Sequence, residues 1–244
     1  MKVTDFNTLT FDCYGTLIDW EAGILSEIRP WIAGQGLALD DNALLEAFGE
    51  AESTCEAKSP HKLYPEILAE AHRHLAGIWK IETNKSADAE FGQSVGRWPA
   101  FSDSSSALRY LKQYYKLVIL SNVDHKSFAK SNAKLGVIFD KIITAQDIGS
   151  YKPNRRNFQY LIDELAGIGV DKTSILHTAQ SLFHDIIPAK QIGLKTLWVN
   201  RRKGLKGWGA TPAPSLDVKP DFEVASLAEF VTLHQNQLQN KSTK

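Results

Sequence analysis

The chain has 244 residues, of which 43% are hydrophobic, and its 28 acidic side chains balance its 28 basic ones. This length and composition suit one large domain or a domain with an insertion, and the zero net charge gives no field that would attract nucleic acid or an anionic membrane. Two cysteines fall far short of a disulfide framework, and the sequence has neither the apolar segment of a signal peptide nor a run that could cross a bilayer. We therefore expect a soluble, cytoplasmic protein that binds neither nucleic acid nor membranes.

The first predicted strand runs from Phe6 to Phe11 and ends in a carboxylate, Asp12, followed by a turn at Gly15. Open α/β sheets bind ligands outside the carboxyl ends of their buried parallel strands, which is where this acid lies. Gly15 permits a sharp turn, and Thr16 returns a hydroxyl toward the carboxylate. Taken alone, the spacing leaves a catalytic aspartate and an ordinary strand end about equally open.

After Thr16 the hydrophobic spacing becomes helical and remains so as far as Arg97. Four helices are predicted there, over residues 24–32, 40–58, 64–78 and 86–95. An all-helical block between a first strand and the next α/β unit indicates an insertion. We expect a helical domain over residues 18–97 and a core domain built from residues 1–17 and 98–244.

The alternation of strands and helices resumes at Trp98. Short apolar runs predict strands at 117–120, 142–143, 175–176, 196–199 and 222–224. Strands that alternate with helices in this number predict a doubly wound, Rossmann-like parallel sheet. Residues 200–220 are rich in glycine, proline and lysine, and we expect a surface loop in which Arg201, Arg202 and Lys203 are solvated.

Three later stretches carry polar residues beside predicted strand ends. Ser121 and Asn122 follow the second strand, Lys152 precedes an amphipathic helix, and Asp185 follows the fourth strand. Acid, hydroxyl with amide, lysine and acid in this order resemble the haloacid dehalogenase superfamily, and residues 11–16 most resemble its 2-haloacid dehalogenases. The resemblance covers nearly the whole chain. It implies that the helical domain is a cap, which closes over the end of the first strand and excludes water.

The resemblance also implies a role for each of these residues. Asp12 is the expected nucleophile, which forms an aspartyl ester that water then hydrolyses. Lys152 is expected to keep Asp12 ionised, and Asp185 to position Lys152 and the hydrolytic water. Contacts with the substrate or with Asp12 are expected from the side chains Tyr14, Thr16, Ser121, Asn122, Phe158 and Gln180.

Two positions favour carbon–halogen cleavage over hydrolysis of a phosphate ester. Phosphatases of the superfamily carry an acid two residues after the nucleophile, which protonates the departing alkoxide; here the residue is Tyr14, and a halide leaves without a proton. They also hold Mg²⁺ through a Gly-Asp motif after the fourth strand, where this chain has Ala179 and Gln180. No cofactor is expected to be required, although Asp12 and Asp185 could form a weak Mg²⁺ site.

The residues that would recognise the substrate depart from the family pattern. Dehalogenases of L-2-haloacids usually carry an arginine on the second cap helix, whereas residues 40–59 contain no arginine and one lysine, Lys58. The same helix carries four glutamates, which are Glu46, Glu50, Glu52 and Glu56. A cation directed at Asp12 from Lys58, Lys62 or Arg73 would restore a site for an anionic substrate. Phe158 also replaces a tyrosine, and Gln180 and Leu182 replace a serine and an asparagine.

The leading hypothesis is hydrolysis of a small anionic 2-haloacid to a 2-hydroxy acid and halide. One alternative is a small-molecule phosphatase with weak dependence on Mg²⁺. The other is a catalytically inactive relative that binds a ligand or a partner protein. A homodimer is common among similar enzymes, but no surface patch in this sequence indicates one.

Overall fold

Six short segments pair into one parallel sheet in the computed structural model, which describes residues 1–242. The strands are β1 (Thr8–Phe11), β2 (Lys116–Ser121), β3 (Lys141–Thr144), β4 (Ile175–Ala179), β5 (Lys195–Val199) and β6 (Phe222–Val224). Their order is β3-β2-β1-β4-β5-β6, and every neighbouring pair is parallel. The order reverses at β1, which lies between β2 and β4, so the carboxyl end of β1 faces the crevice where such sheets bind ligands. The predicted doubly wound α/β fold is confirmed.

Both faces of the sheet are covered, as a parallel sheet requires. All four residues of β1 are buried. Along β2 the side chains alternate between two apolar clusters, because successive residues of a strand point to opposite faces. Leu117 and Ile119 lie in the larger cluster, whereas Val118 and Leu120 lie in the smaller one.

The residues between β1 and β2 are helical almost throughout. They form α1 (Trp20–Ala33), α2 (Asp41–Lys58), α3 (Tyr64–Trp79), α4 (Lys85–Gly92) and a 3₁₀ turn (Gln93–Arg97), together called the helical insertion. Asp19, Asp40 and Asn84 begin α1, α2 and α4, and each accepts a hydrogen bond from a backbone N–H of the first turn. The apolar side chains of the helical insertion lie in the larger cluster together with those of β1. The division into two domains at residues 17 and 97 stays a prediction.

The remaining helices surround the sheet. They are α5 (Ser104–Leu111), α6 (His125–Leu135), α7 (Ala145–Ile148), α8 (Arg155–Ala166), α9 (Ile187–Gln191) and α10 (Leu227–Ser242), and a π-helical turn (Leu182–Ile186) precedes α9. None of the helices within residues 1–242 combines the length and the apolar character needed to traverse a bilayer.

The loop after β5 is held against the molecule by ion pairs. Arg201 donates to both carboxylate oxygens of Asp103 at 3.0 Å and lies 4.0 Å above the ring of Phe101. Arg202 donates to the carboxylate of Glu21 on α1 at 2.5 Å. The expectation that these arginines are solvated is therefore wrong, because acids distant in the sequence supply their partners.

Candidate active site

A buried ion-pair network occupies the carboxyl end of β1. The ammonium of Lys152 donates to Asp12 Oδ1 at 2.9 Å, to Asp185 Oδ1 at 2.7 Å and to the carbonyl oxygen of Leu120 at 3.1 Å. A lysine ammonium has three donors, so these contacts satisfy all of them and fix its position. Lys152 and Asp185 are each 1% exposed and Asp12 is 6% exposed. The structure therefore brings the three predicted catalytic residues into one hydrogen-bonded cluster.

Burial and charge act in opposite directions on the pKa of each member. Burial lowers the pKa of Lys152, but the charges of Asp12 and Asp185 raise it above its ordinary range. Burial raises the pKa of Asp12 above its ordinary value of 3.8, although the Lys152 charge lowers it. For Asp185 burial also raises the pKa, but Lys152 and a hydrogen bond from His177 bring it below 3.8. Lys152 therefore remains a cation, and of the two acids Asp12 is protonated first as the pH falls.

The turn after β1 holds the other oxygen of Asp12. Gly15 has a φ of +89°, a backbone conformation that L side chains rarely adopt. This turn lets Thr16 donate its hydroxyl to Asp12 Oδ2 at 2.6 Å while it accepts the backbone N–H of Gln180 at 2.9 Å. Each carboxylate oxygen of Asp12 therefore has its own fixed partner, Lys152 on one side and Thr16 on the other.

A cavity of about 30 Å³ lies in front of Asp12. Side chains of the sheet edge line it, among them Tyr14, Asn122, Lys152, Gln180, His184 and Asp185. The helical insertion closes it with Trp20, Glu52, Glu56 and Tyr64. One water needs roughly 10–15 Å³ of such space, so the cavity has room for about two water molecules. A larger substrate requires the insertion to separate from the sheet.

The predicted substrate contacts divide into three groups. Tyr14, Asn122 and Gln180 line the cavity. Thr16 lies behind Asp12, and the buried hydroxyl of Ser121 has no hydrogen-bond partner in the described part of the chain. Phe158 lies in the smaller apolar cluster, fully buried.

The prediction that Phe158 contacts the substrate is wrong. Its ring packs edge-on against His177 of β4, with ring centroids 5.3 Å apart. Phe158 belongs to the apolar stripe of α8, together with Leu161 and Leu165, and burial of that stripe turns it toward the sheet. Its position in the sequence after Lys152 does not make it a neighbour of Asp12.

The hydroxyl of Tyr14 is engaged away from Asp12. It lies 3.0 Å from the Ser131 hydroxyl on α6 and forms a hydrogen bond with it. The Tyr14 ring stacks on Tyr64, with centroids 6.2 Å apart, and meets Trp98 edge-on. Burial raises the pKa of the Tyr14 hydroxyl well above its ordinary value of 10.0. Tyr14 therefore contributes an aromatic wall rather than a ready proton donor.

Two carboxyl groups of α2 face Asp12 across the cavity. Glu52 and Glu56 are four residues apart and therefore lie on the same face of the helix. They are only 3% and 5% exposed. Glu52 accepts a hydrogen bond from the hydroxyl of Tyr64, and both oxygens of Glu56 lie 3.2 Å from the amide nitrogen of Asn122. Their position was not predicted from the sequence. Their i, i+4 spacing next to the buried Phe48 could have indicated that both lie on the buried face of α2.

Burial raises the pKa of both glutamates. It raises the pKa of Glu52 to about 7, with a hydrogen bond from Tyr64 opposing the rise and the charge of Asp12 adding to it. Burial and the charge of Glu52 raise the pKa of Glu56 well above its ordinary value of 4.5. The end of the cavity formed by α2 is therefore acidic, and at neutral pH the pair retains at least one proton.

The cation that an anionic substrate would need does not reach the cavity. Lys58 is exposed, Lys62 forms an ion pair with Glu70, and Arg73 pairs with Asp88 at 2.9 Å. Within residues 1–242 the cavity lining contains no arginine, and its one lysine is Lys152. The side chains that α2 contributes to the cavity, Glu52 and Glu56, are thus acidic.

The residues present fit a magnesium ion poorly. Lys152 bonds one oxygen of Asp12 and one of Asp185, and so occupies the position between the two acids. Among the described residues the second oxygen of Asp185 is buried without a partner, and Gln180 Oε1 accepts the hydroxyl of Thr211 at 3.2 Å. Mg²⁺ prefers charged oxygen ligands in octahedral geometry. No group of three or more His, Cys, Asp or Glu side chains in the described residues is arranged to hold a metal.

Comparisons with known proteins identify the family of this chain. The sequence model of the haloacid dehalogenase-like hydrolases matches residues 6–193. The (S)-2-haloacid dehalogenase of Pseudomonas putida is 25% identical over 210 residues, which cover 84% of this chain and 90% of that protein.

Solved structures share the fold. The L-2-haloacid dehalogenase of Xanthobacter autotrophicus with chloropropionic acid covalently bound has a TM-score of 0.76 at 20% identity, and the match covers 94% of this chain and 98% of that one. The magnesium-bound putative HAD-hydrolase YfnB from Bacillus subtilis has a TM-score of 0.72 at 18% identity, with 94% and 99% covered.

The family model spans well over half of the chain, and the matched residues include Asp12, Lys152 and Asp185. The resemblance inferred from the four ordered motifs is thereby confirmed. This chain belongs to the haloacid dehalogenase-like hydrolase family.

Proposed function

We propose that this hydrolase uses Asp12 as a covalent nucleophile to remove halide from a small halogenated compound. The observation that carries the proposal is the position of the Asp12 carboxylate, which is held by Lys152 and Thr16 and faces a small cavity. An oriented, desolvated carboxylate is a much better nucleophile than one in water. The 2-haloacids are the reference substrates, because a curated relative is named for them and a structural neighbour holds chloropropionic acid covalently.

The reaction has two steps. An oxygen of Asp12 attacks the carbon that bears the halogen, the carbon–halogen bond breaks, and halide departs with the electron pair. Water then attacks the carbonyl carbon of the aspartyl ester, which frees the alcohol and restores the carboxylate while one proton passes to solvent. For a 2-haloacid the product is a 2-hydroxy acid.

The other residues have supporting roles in this proposal. Lys152 keeps its proton throughout, because two acids raise its pKa, so it balances the charge of Asp12 rather than acting as a base. Asp185 positions Lys152 and helps to orient the water. The hydroxyl of Tyr14 is bonded to Ser131, which suits a leaving group that needs no proton.

The test follows the isotope of the attacking oxygen. Enzyme in excess over 2-chloropropionate in H₂¹⁸O should place ¹⁸O in the peptide that contains Asp12, detected by mass spectrometry, while the first product carries ¹⁶O. Asp12→Asn should abolish halide release, whereas Asp217→Asn, an exposed loop variant, should not change it. EDTA should have no effect. Direct transfer of ¹⁸O to the first product would contradict a covalent aspartyl ester.

Phosphate release decides between the two enzymatic alternatives. Release from 4-nitrophenyl phosphate that requires Mg²⁺, without halide release from 2-chloropropionate, would favour the phosphatase. If neither product forms while the Asp12→Asn variant binds ligands as the wild type does, the inactive relative is favoured.

A further inference from the structure

The cavity in front of Asp12 is lined by four carboxyl groups and one ammonium. The carboxyl groups belong to Asp12, Asp185, Glu52 and Glu56, and the ammonium to Lys152. All five side chains are buried. Even with one proton retained by the glutamate pair, the carboxyl groups outnumber the single ammonium. The carboxylate of a 2-haloacid would add a further negative charge, and like charges brought together in a desolvated site disfavour binding.

Asn122, one of the side chains expected to contact the substrate and the one beside β2 that lines the cavity, already has partners. The amide nitrogen of Asn122 lies 3.2 Å from both oxygens of Glu56 and donates to the carbonyl oxygen of Lys152 at 3.0 Å. Its amide oxygen accepts the backbone N–H of Lys152 at 2.7 Å. A substrate carboxylate would therefore have to compete with Glu56 for this amide.

The other side chains that line the cavity near Glu52 and Glu56 are aromatic. Tyr14, Trp20 and Tyr64 line the cavity beside the two glutamates, and Tyr14 stacks on Tyr64. The faces of aromatic rings attract cations, and carboxylates combined with such rings are a recurrent environment for ammonium groups.

A separate observation indicates that a ligand completes this cavity. His184 lines it, is 7% exposed, and its Nε2 atom is buried with no hydrogen-bond partner among the described residues. A buried ring nitrogen without a partner is unfavourable, and a ligand with a polar group would supply the missing hydrogen bond.

From these contacts we infer that the substrate carries a cationic nitrogen group, such as a primary ammonium, which Glu52 and Glu56 bind while Asp12 attacks the halogenated carbon. The inference rests on the proposed function and replaces the carboxylate of a 2-haloacid by a group of opposite charge. The ammonium donates to the glutamates and lies against the rings of Tyr14 and Tyr64.

Binding of three small compounds tests the charge preference without turnover. Propylammonium, propan-1-ol and propionate are similar in size and differ in charge. In NMR titrations of wild type and of Asp12→Asn, propylammonium should bind at least about tenfold more tightly than propionate. The preference should disappear in Glu52→Gln/Glu56→Gln and weaken in Glu56→Gln, while Glu50→Gln, on the exposed side of α2, should retain it. Thermal unfolding of each variant checks that it is folded.

Turnover of a matched pair separates this inference from the proposed function. Halide release from 2-chloropropylammonium, corrected for its spontaneous reaction, should have a kcat/KM at least about tenfold above that from 2-chloropropionate. Binding selective for propylammonium without any halide release would overturn the proposed function alone. Halide release from 2-chloropropionate without selective binding of propylammonium would overturn the inference alone. A loss of kcat in the glutamine variants with unchanged charge preference would also overturn it, since the glutamates would then act in proton transfer.

Discussion

Lys152 is a single buried cation on which two carboxyl groups depend. Lys152→Met would leave Asp12 and Asp185 buried without their partner, and removal of one member of a buried ion pair typically costs about 3–5 kcal/mol. We expect the free energy of unfolding at pH 7 to fall by about that amount and halide release to fall at least about 100-fold. Urea unfolding and initial rates measure the two effects.

Lys58→Met provides the control, because Lys58 is exposed on α2 and its loss should change the free energy of unfolding by less than about 0.5 kcal/mol. The effect of Lys152→Met should also shrink at low pH, where protonation neutralises the two aspartates. An equally stable Lys152→Met protein would contradict the account of this network.

We expect the ionisation of Glu52 to make the free energy of unfolding depend on pH in an unusual way. Burial raises its pKa from an ordinary 4.5 to about 7 in the folded protein. A raised pKa means that the folded state holds the proton more tightly, so the stabilisation is fully present below pH 4.5 and is lost as the pH rises through 7. The resulting decrease in the free energy of unfolding is on the order of 3 kcal/mol.

Glu52→Gln should remove this dependence, because an amide stays neutral and can still accept the hydroxyl of Tyr64. The free energy of unfolding of Glu52→Gln, relative to wild type, should therefore increase between pH 4.5 and pH 8. Glu50→Gln, an exposed change on the same helix, should give a curve parallel to that of wild type. Parallel curves for all three proteins would show that Glu52 ionises normally.

At the scale of elements, α2 carries the two glutamates to the cavity, and Gly49 determines how closely it can approach. Glycine inside a helix costs about 1 kcal/mol relative to alanine. Here a Cβ at residue 49 would lie 2.4 Å from the carbonyl oxygen of Ala210, so glycine is what lets α2 pack against the loop after β5. That contact sets the depth at which Glu52, one turn later, enters the site.

Gly49→Ala should therefore destabilise the protein by about 1–3 kcal/mol through overpacking and lower kcat/KM by shifting α2. Gly77→Ala is the matched control, since a Cβ at Gly77 in α3 meets nothing within 4 Å and should stabilise the helix by up to about 1 kcal/mol. Urea unfolding and steady-state rates compare the two. A stabilising effect of Gly49→Ala would show that the loop yields without cost.

Elements differed in how far their sequence determined their placement. All six strands were predicted, because a parallel strand covered on both faces is a short continuous apolar run. The helices of the insertion were predicted from spacing and caps, as for α2 after Asp40. The side of α2 that faces Asp12 was not predicted. Glu52 and Glu56 border the buried stripe of Phe48 and Cys55, and their orientation depends on the contact with Ala210, far along the chain.

The same division holds for the site. Asp12, Lys152 and Asp185 were expected from the resemblance of the ordered motifs to the haloacid dehalogenase superfamily, and parallel strands bring their carboxyl ends together. Phe158 could not be placed by its distance from Lys152, since the apolar stripe of α8 decides where its ring points. The sequence motifs thus predicted the residues on the sheet side of the cavity, whereas the residues on the helical side are placed by tertiary contacts.

At the scale of the whole molecule, the insertion and the sheet enclose a cavity of about 30 Å³, which is smaller than any proposed substrate. A haloacid or haloamine needs more space than this, and separation of the two layers would provide it. Contacts that join them include the hydrogen bond from Asn122 to Glu56 and the hydroxyl of Tyr151, which donates to the carbonyl oxygen of Lys62 at 2.7 Å. Residues 18 and 100 form an antiparallel bridge where the chain enters and leaves the insertion, so both connections lie side by side.

Tyr151→Phe should shift this equilibrium toward the open form. One hydrogen bond contributes about 1 kcal/mol, which corresponds to roughly a fivefold change in the ratio of open to closed molecules. Hydrogen exchange of backbone amides 12–18, measured by mass spectrometry, should accelerate by about that factor, because these residues are all buried in the closed form. Tyr160→Phe is the control: Tyr160 is a half-buried residue of α8, and its substitution should leave exchange in this segment unchanged. If Tyr151→Phe exchanges as slowly as wild type, the hydrogen bond between Tyr151 and Lys62 does not hold the two layers together.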